Sequence, residues 1–323
     1  MVGRDRLRPR QRRCKMVTHS PQHYGCAVTA LSVLFDCDPG KDDAFALFLA
    51  LAMPQALEVV AVTAVAGNVA VDRTVANARR IVEAAGRPEI PVFRGCPRPI
   101  IHDLFTAEDS HGADGLGGSG LPDAREPHEA EHAVNALIRL LDAAEAPLTI
   151  AAIGPLTNIA MVLIQRPDLA DKIRHLAVMG GARGRGNVTE FAEFNFLVDP
   201  HAAHVSMSIA SPISLVTLDA TRNLRPPLSW FEAMEGFGEP GRALAGMWRE
   251  SPIALYDVAV TGLLLWPDLF SLESCDIRIV LDDEQHMARS VVSPGEGNCR
   301  ILSAIDEETF LERTVEAMKN YRR

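Results

Sequence analysis

Apolar runs that stop at polar turns, each followed by a segment of helical period, recur along this chain. Val33-Leu34-Phe35 breaks off into Asp36, Asp38, Asp42 and Asp43 around a Pro39-Gly40 turn, and an apolar segment at 45–53 follows. The stretch reads as strand, tight turn and helix. Residues 58–65 read as a buried strand ending in Ala66-Gly67-Asn68, and 71–85 has helical periodicity stopped by Gly86 and Pro88. A short strand at 91–93, a helix at 129–144, a strand at 148–153, a helix opened by Gly154-Pro155-Leu156-Thr157-Asn158 and a strand at 176–179 continue the alternation. Such alternation predicts an α/β fold with an open, mostly parallel central sheet flanked by helices, Rossmann-like in layout.

The second half departs from it. A helix at 199–209, a strand at 213–218 and a helix at 258–266 follow, and β-rich runs at 277–281, 288–292 and 300–302 predict a small antiparallel extension closed by a helix at 307–321. The aromatic-rich stretch 226–250 reads as core packing, with a mobile helical cap as the other option. Residues 190–195 alternate polar and aromatic side chains, and if extended would aim Glu193 and Asn195 to one side. The long Gly-rich stretch 97–127 reads as a flexible lid carrying His111, or as a plain surface loop.

Composition narrows this further. At 323 residues and 47% hydrophobic, the chain can bury a large core, and one catalytic domain over 23–323 is expected. The net charge of −10 includes a basic start, six Arg and Lys15 against Asp5, so the body is more acidic than the total. That argues against a nucleic-acid surface and suits a cation-dependent enzyme. Residues 1–22 read as a disordered basic leader or an over-extended start with Met16 as initiator; an Arg-rich presequence has the same look, whereas a secretory signal would need a small-residue cleavage site. Cysteines 14, 26, 37, 96, 275 and 299 form no CxxC pair and read as free thiols, hence a cytoplasmic protein. No run reaches the ~18 apolar residues of a membrane span.

The candidate chemistry sits at the first turn. Four carboxylates within eight residues repel unless protons or a cation intervene, and a hard divalent cation with oxygen ligands is the economical solution; an exposed acidic turn with one capping Asp is the plainer one. An EF-hand is excluded, because a loop starting at Asp36 puts Lys41 where Gly belongs and Leu47 where Glu belongs. Further ligands must come from elsewhere, and strand ends at Asp38, Asn68, Ile153 and Met179 offer one wall for a site. Asp257, next to Tyr256 ahead of an apolar helix, is a further acidic group or a simple N-cap. Walker and GxSxG motifs are absent. Asp, Asn and Glu groups without an accompanying Arg or Lys cluster suit a neutral polyhydroxyl substrate.

Asp36-Cys37-Asp38-Pro39-Gly40-Lys41-Asp42-Asp43-Ala44 resembles the DxDPGxDDA signature of the inosine-uridine-preferring nucleoside hydrolases. The likeness continues in family order through Val65-Ala66-Gly67-Asn68, Ser110-His111-Gly112, Gly154 to Ala160, Val178-Met179-Gly180-Gly181, Ala192-Glu193-Phe194-Asn195 and Tyr256-Asp257. The resemblance implies a Ca2+ ion held by Asp38, Asp43, Asp257 and the carbonyl of Ile153, with Asp38 as general base. It implies that Asp42, Asn68, Asn187, Glu193 and Asn195 grip the ribose, that Met179 lines the sugar pocket, and that His111 faces the base. Several relatives carry His where this chain has Tyr256, a weaker acid with a reference pKa near ~10, so leaving-group activation falls to a phenol. The implied activity is hydrolysis of ribonucleosides to ribose and free base, in nucleoside salvage or catabolism. A homodimer or homotetramer without nucleic-acid or membrane partners is also implied. Two other readings stay open: a non-catalytic, calcium-stabilised riboside-binding protein of the same fold, and a DxD phosphatase, although that class usually continues with Gly-Thr or Gly-Val where Pro39-Gly40 stands.

Overall fold

The computed structural model describes residues 30–322, apart from 210 and 298; the basic leader expected at 1–22 lies outside the described residues. Strands β1 (Leu31–Cys37), β2 (Leu57–Ala64), β3 (Val92–Arg94), β4 (Leu148–Ala152), β5 (Ile173–Met179), β6 (Ile213–Val216), β7 (Phe270–Ile279), β8 (Ser290–Pro294) and β9 (Cys299–Ile305) form one sheet, in the order β3-β2-β1-β4-β5-β6-β9-β7-β8. Pairing is parallel from β3 across to β9 and antiparallel where β7 joins β9 and β8. The expected mostly parallel sheet with an antiparallel extension is therefore present.

The strand order reverses at β1. Connections run outward to β2 and β3, then return to place β4 on the other side of β1. A crevice opens at such a switch point, outside the carboxyl ends of the two strands, and open parallel sheets bind ligands there. Asp38 follows directly on β1 and Ile153 on β4, so both stand at that crevice, while Asp36 stays within β1.

The flanking helices bury both sheet faces. Helix Lys41–Leu51 is buried along its whole length and packs on helix Tyr256–Leu265, which brings the Asp42-Asp43 turn to Asp257. Asp257 lies in the first turn of its helix and does not cap it. The aromatic stretch is core: Phe231 stacks on Trp248 at 4.4 Å, and Phe45 meets both edge-on.

Several expectations are corrected. Residues 190–195 are not extended, because the Glu193 side chain accepts the N–H groups of Asn195 and Phe196 and starts helix Phe194–Val198. β5 begins at Ile173, with polar Arg174 and His175 inside it, since pairing to β4 and a 2.9 Å contact between His175 Nε2 and Ser214 Oγ outweigh the break in the apolar run. The helix expected from 129 starts at Ala133, where His132 Nδ1 accepts the Val134 N–H and Glu129 is engaged with Phe93.

His111 is pinned in place, not carried on a loose lid. The stretch around it makes a short helix, Glu108–His111, and Ala107 donates its N–H to the Asn68 carbonyl at 2.9 Å. Asn77 Nδ2 ties Pro39 and Asp114 carbonyls together at 3.0 and 2.7 Å. Gly112 and Gly115 take φ of 84° and 83°, the left-handed conformation that lets the loop double back. Among the described residues no helix is long and apolar enough to cross a membrane.

Candidate active site

Asp36, at the end of β1, acts as scaffold. Its Oδ1 accepts from Thr63 Oγ1 at 2.5 Å on β2 and from Asn158 Nδ2 at 2.8 Å on the helix after β4, so one buried carboxylate clamps three elements. Burial pushes it up to about 7 despite those donors.

Two residues on, Asp38 turns into the crevice. Its Oδ2 accepts the Asn68 backbone N–H at 2.6 Å, while Oδ1 is buried without a protein partner. Gly67 and Gly154 make room for that carboxylate, since a Cβ at either would lie 2.0 Å from Oδ2 or 2.5 Å from Oδ1. Asp43 is held by the turn itself: Oδ1 accepts the Asp38 N–H at 3.2 Å, and Oδ2 accepts Gly40 N–H at 3.0 Å and Asn68 Nδ2 at 3.1 Å.

Asp42, Asp43 and Asp257 bring carboxylate oxygens within 4.8 Å of one another. Burial raises all four carboxyls. Asp43 reaches about 6 and Asp42 about 8 with added repulsion from Asp43, while Asp38 and Asp257 are pushed well above the ordinary range by burial and by their acidic neighbours. A positive ion would relieve this repulsion, and buried oxygen donors with one carboxylate oxygen unpaired suit a hard divalent cation.

Of the four expected ligands, Asp43 and Asp257 share the cluster, joined by Asp42. Asp38 stands beside it through its N–H to Asp43, and the Ile153 carbonyl accepts from Asn195 Nδ2 at 2.9 Å. Asp36 Oδ2 is likewise buried and unpartnered, but Asp36 lies behind Asp38 inside the sheet.

Above the carboxylates lies a cavity of about 630 Å³, in the range that suits a small-molecule ligand. Every expected substrate-binding residue lines it, namely Asp42, Asn68, Met179, Asn187, Glu193 and Asn195, as do His111, Ile153, Tyr256 and Asp257. Glu193 accepts three backbone N–H groups, from Gly181, Asn195 and Phe196, yet burial still lifts it to about 7. Asn187 Oδ1 accepts the Phe194 N–H at 3.0 Å.

His111 Nδ1 accepts the Lys41 N–H at 3.1 Å, and burial with the nearby Lys41 charge lowers the imidazole to about 3. A neutral ring accepting at Nδ1 carries its proton on Nε2. Burial also raises the Tyr256 phenol, whose oxygen accepts from Arg225 Nη2 at 3.3 Å.

Sequence reasoning missed the arginines. Arg225 lines the main cavity, and with Arg185 and Arg222 it walls a second cavity of about 770 Å³ that shares Asn187, Val188, Arg225 and Tyr256 with the first. Arg185 stands on one loop and Arg222 and Arg225 on another, so no local motif announces them.

Residues 33–312 match the family model of the inosine-uridine preferring nucleoside hydrolases, and the chain belongs to that family. It is a nucleoside hydrolase. Among its relatives, a pyrimidine-specific ribonucleoside hydrolase RihA from Citrobacter koseri is 34% identical over 310 residues, covering 90% of this chain and 99% of the relative. The RihA of Salmonella schwarzengrund is 32% identical over the same shares of both chains. Among solved structures, the plant nucleoside hydrolase PpNRh1 superposes with a TM-score of 0.81 at 27% identity, covering 90% of this chain and 99% of its own. The purine-preferring ribonucleoside hydrolase from Gardnerella vaginalis shares the fold, with a TM-score of 0.84 at 24% identity and the same coverage.

Proposed function

We propose that the enzyme cleaves the N-glycosidic bond of ribonucleosides by direct attack of water, with Asp38 as general base and Ca2+ held by Asp43 and Asp257 together with Asp38 or Asp42. The observation that carries this is Asp38 Oδ1: a buried carboxylate oxygen without a protein partner, joined through its N–H to Asp43 of the Asp42, Asp43 and Asp257 cluster, of which Asp42 and Asp257 line the ligand-sized cavity although Asp38 itself does not. A divalent cation held by these carboxylates would supply a fixed positive charge that lowers the pKa of a nearby water.

Asp38 takes the proton of the attacking water while Asn68 N–H holds its other oxygen still. Asp42, Asn68, Asn187, Glu193 and Asn195 offer acceptors and donors around the sugar, and Met179 adds an apolar contact. Bond breaking builds positive charge on the ribose ring, which the surrounding carboxylates stabilise electrostatically. The Tyr256 hydroxyl donates to the departing base, since its own oxygen already accepts from Arg225. Neutral His111 offers an Nε2–H on the base side. A single displacement inverts the anomeric carbon.

Pyrimidine ribonucleosides are the proposed substrates, supported by the pyrimidine-specific relatives at 32% and 34% identity. The family resemblance supports a homodimer or homotetramer acting in the cytoplasm. The test is release of free base from uridine, cytidine, inosine, adenosine and guanosine, with and without chelator. Proton NMR of the first-formed sugar reads the anomer. Chelator-sensitive release with inverted ribose, fastest for uridine or cytidine, is the expected result; retained configuration or chelator-indifferent release contradicts the mechanism.

A further inference from the structure

The second cavity differs in charge from the first. The main cavity carries carboxylates on its floor, whereas the wall next to it carries the guanidinium groups of Arg185, Arg222 and Arg225 against a single acid, Glu190. None of these arginines is ion-paired with a carboxylate among the described residues, although Arg183, close in sequence, pairs with Glu273. Three guanidinium groups against one carboxylate leave the patch with a net positive charge.

The patch is built, not loose. Arg222 Nη2 donates to the carbonyls of Arg185 and Gly186, which fastens the loop carrying Arg185. Arg225 Nε donates to the Arg222 carbonyl at 3.1 Å, and its Nη2 reaches the Tyr256 hydroxyl at 3.3 Å. Arg225, Tyr256, Asn187 and Val188 border both cavities, so a group attached to a molecule in the first can enter the second. A substrate with an uncharged sugar over the carboxylates and an anionic substituent over the guanidinium groups would match both walls. Guanidinium recognises carboxylate and phosphate through paired N–H donors.

We propose that Arg185, Arg222 and Arg225 form an anion subsite beside the catalytic pocket, taking a carboxylate or phosphate carried by the nucleoside. This rests on the nucleosidase reading above and narrows its substrate class. The anion sits either on the base, next to Tyr256, or on the 5′-hydroxyl of the ribose, next to Asn187. Glu190 opposes binding and limits the gain.

The test compares kcat/KM of the holoenzyme for uridine, 6-carboxyuridine and uridine 5′-monophosphate, at low and high NaCl. One anionic substrate is expected to exceed uridine at least about tenfold at low salt, and its identity locates the anion on the base or on the sugar. That advantage is expected to shrink in high salt and in Arg185→Gln and Arg225→Gln, because screening and loss of a guanidinium both weaken an exposed charge contact. Turnover of uridine with no advantage for either anion overturns the subsite and leaves the nucleosidase reading standing, as does an advantage that persists in both variants. Should no ribonucleoside turn over, the nucleosidase reading fails, and calorimetric titration of 6-carboxyuracil against uracil and of ribose 5-phosphate against ribose still decides the subsite. Equal affinity within both pairs overturns it.

Discussion

The backbone N–H of Lys41 donates to Nδ1 of His111 at 3.1 Å, bridging 70 residues of chain. This bond fixes the tautomer of a cavity-lining histidine and ties the Gly-rich loop to the turn that carries Asp42 and Asp43.

His111 should therefore stay neutral. Its folded-state value of about 3 lies below the ordinary 6.5, so the stability it confers is present above about pH 6.5 and lost as pH falls toward 3. Histidine NMR is expected to show His111 uncharged at pH 5, and urea midpoints should drop less steeply between pH 6.5 and 4 in His111→Leu than in the wild type. An imidazolium signal at pH 6 would contradict the assignment.

The glycines beside Asp38 predict a steric test. Gly67→Ala places a Cβ 2.0 Å from Asp38 Oδ2, and Gly154→Ala places one 2.5 Å from Oδ1, so each must push the carboxylate aside. Turnover is expected to fall by about 100-fold or more, as it does when a catalytic group is misplaced by about 1 Å. Gly236→Ala, with open space around its Cβ, is the matched control and should leave kinetics unchanged.

Tyr256→Phe removes the proposed donor to the base but keeps the ring. Nucleoside turnover should fall by roughly 10² to 10⁴, the range for general acid catalysis. Turnover of p-nitrophenyl riboside, whose leaving group departs without a proton, should fall far less; equal losses on both substrates would assign Tyr256 a packing role only.

Asn158→Ala tests the scaffold. Asn158 Nδ2 serves Asp36 Oδ1 and the Ala64 carbonyl, and its Oδ1 accepts the Cys96 N–H at 2.9 Å. Its loss leaves buried polar groups unpaired and is expected to cost about 1–3 kcal/mol of stability, read from urea unfolding. A stability change within ±0.5 kcal/mol, roughly that of an ordinary surface substitution, would show that the clamp is dispensable.

What could be read from the sequence follows the range of the interactions. The Asp36-to-Asp43 turn was legible because its geometry is local: Pro39-Gly40 ends the strand, and Asp43 caps the helix it starts. The parallel sheet was legible because apolar strands and amphipathic helices alternate. The Glu193 cap was hidden by an alternation that mimicked a strand: its bonds from Asn195 and Phe196 are local, but the one from Gly181 forms only once the chain folds back on itself. The Asp36–Thr63–Asn158 clamp needs the β1–β2–β4 register, and the Arg185–Arg222–Arg225 wall needs two loops side by side. Neither leaves a trace in spacing.

The most direct measurement of the central claim is release of uracil from uridine by metal-replete wild type and by Asp38→Asn. Chelator-sensitive release by the wild type is expected, with a rate lower by about 10² to 10⁴ in the variant and an unchanged circular dichroism spectrum. Turnover by Asp38→Asn close to that of the wild type would contradict it.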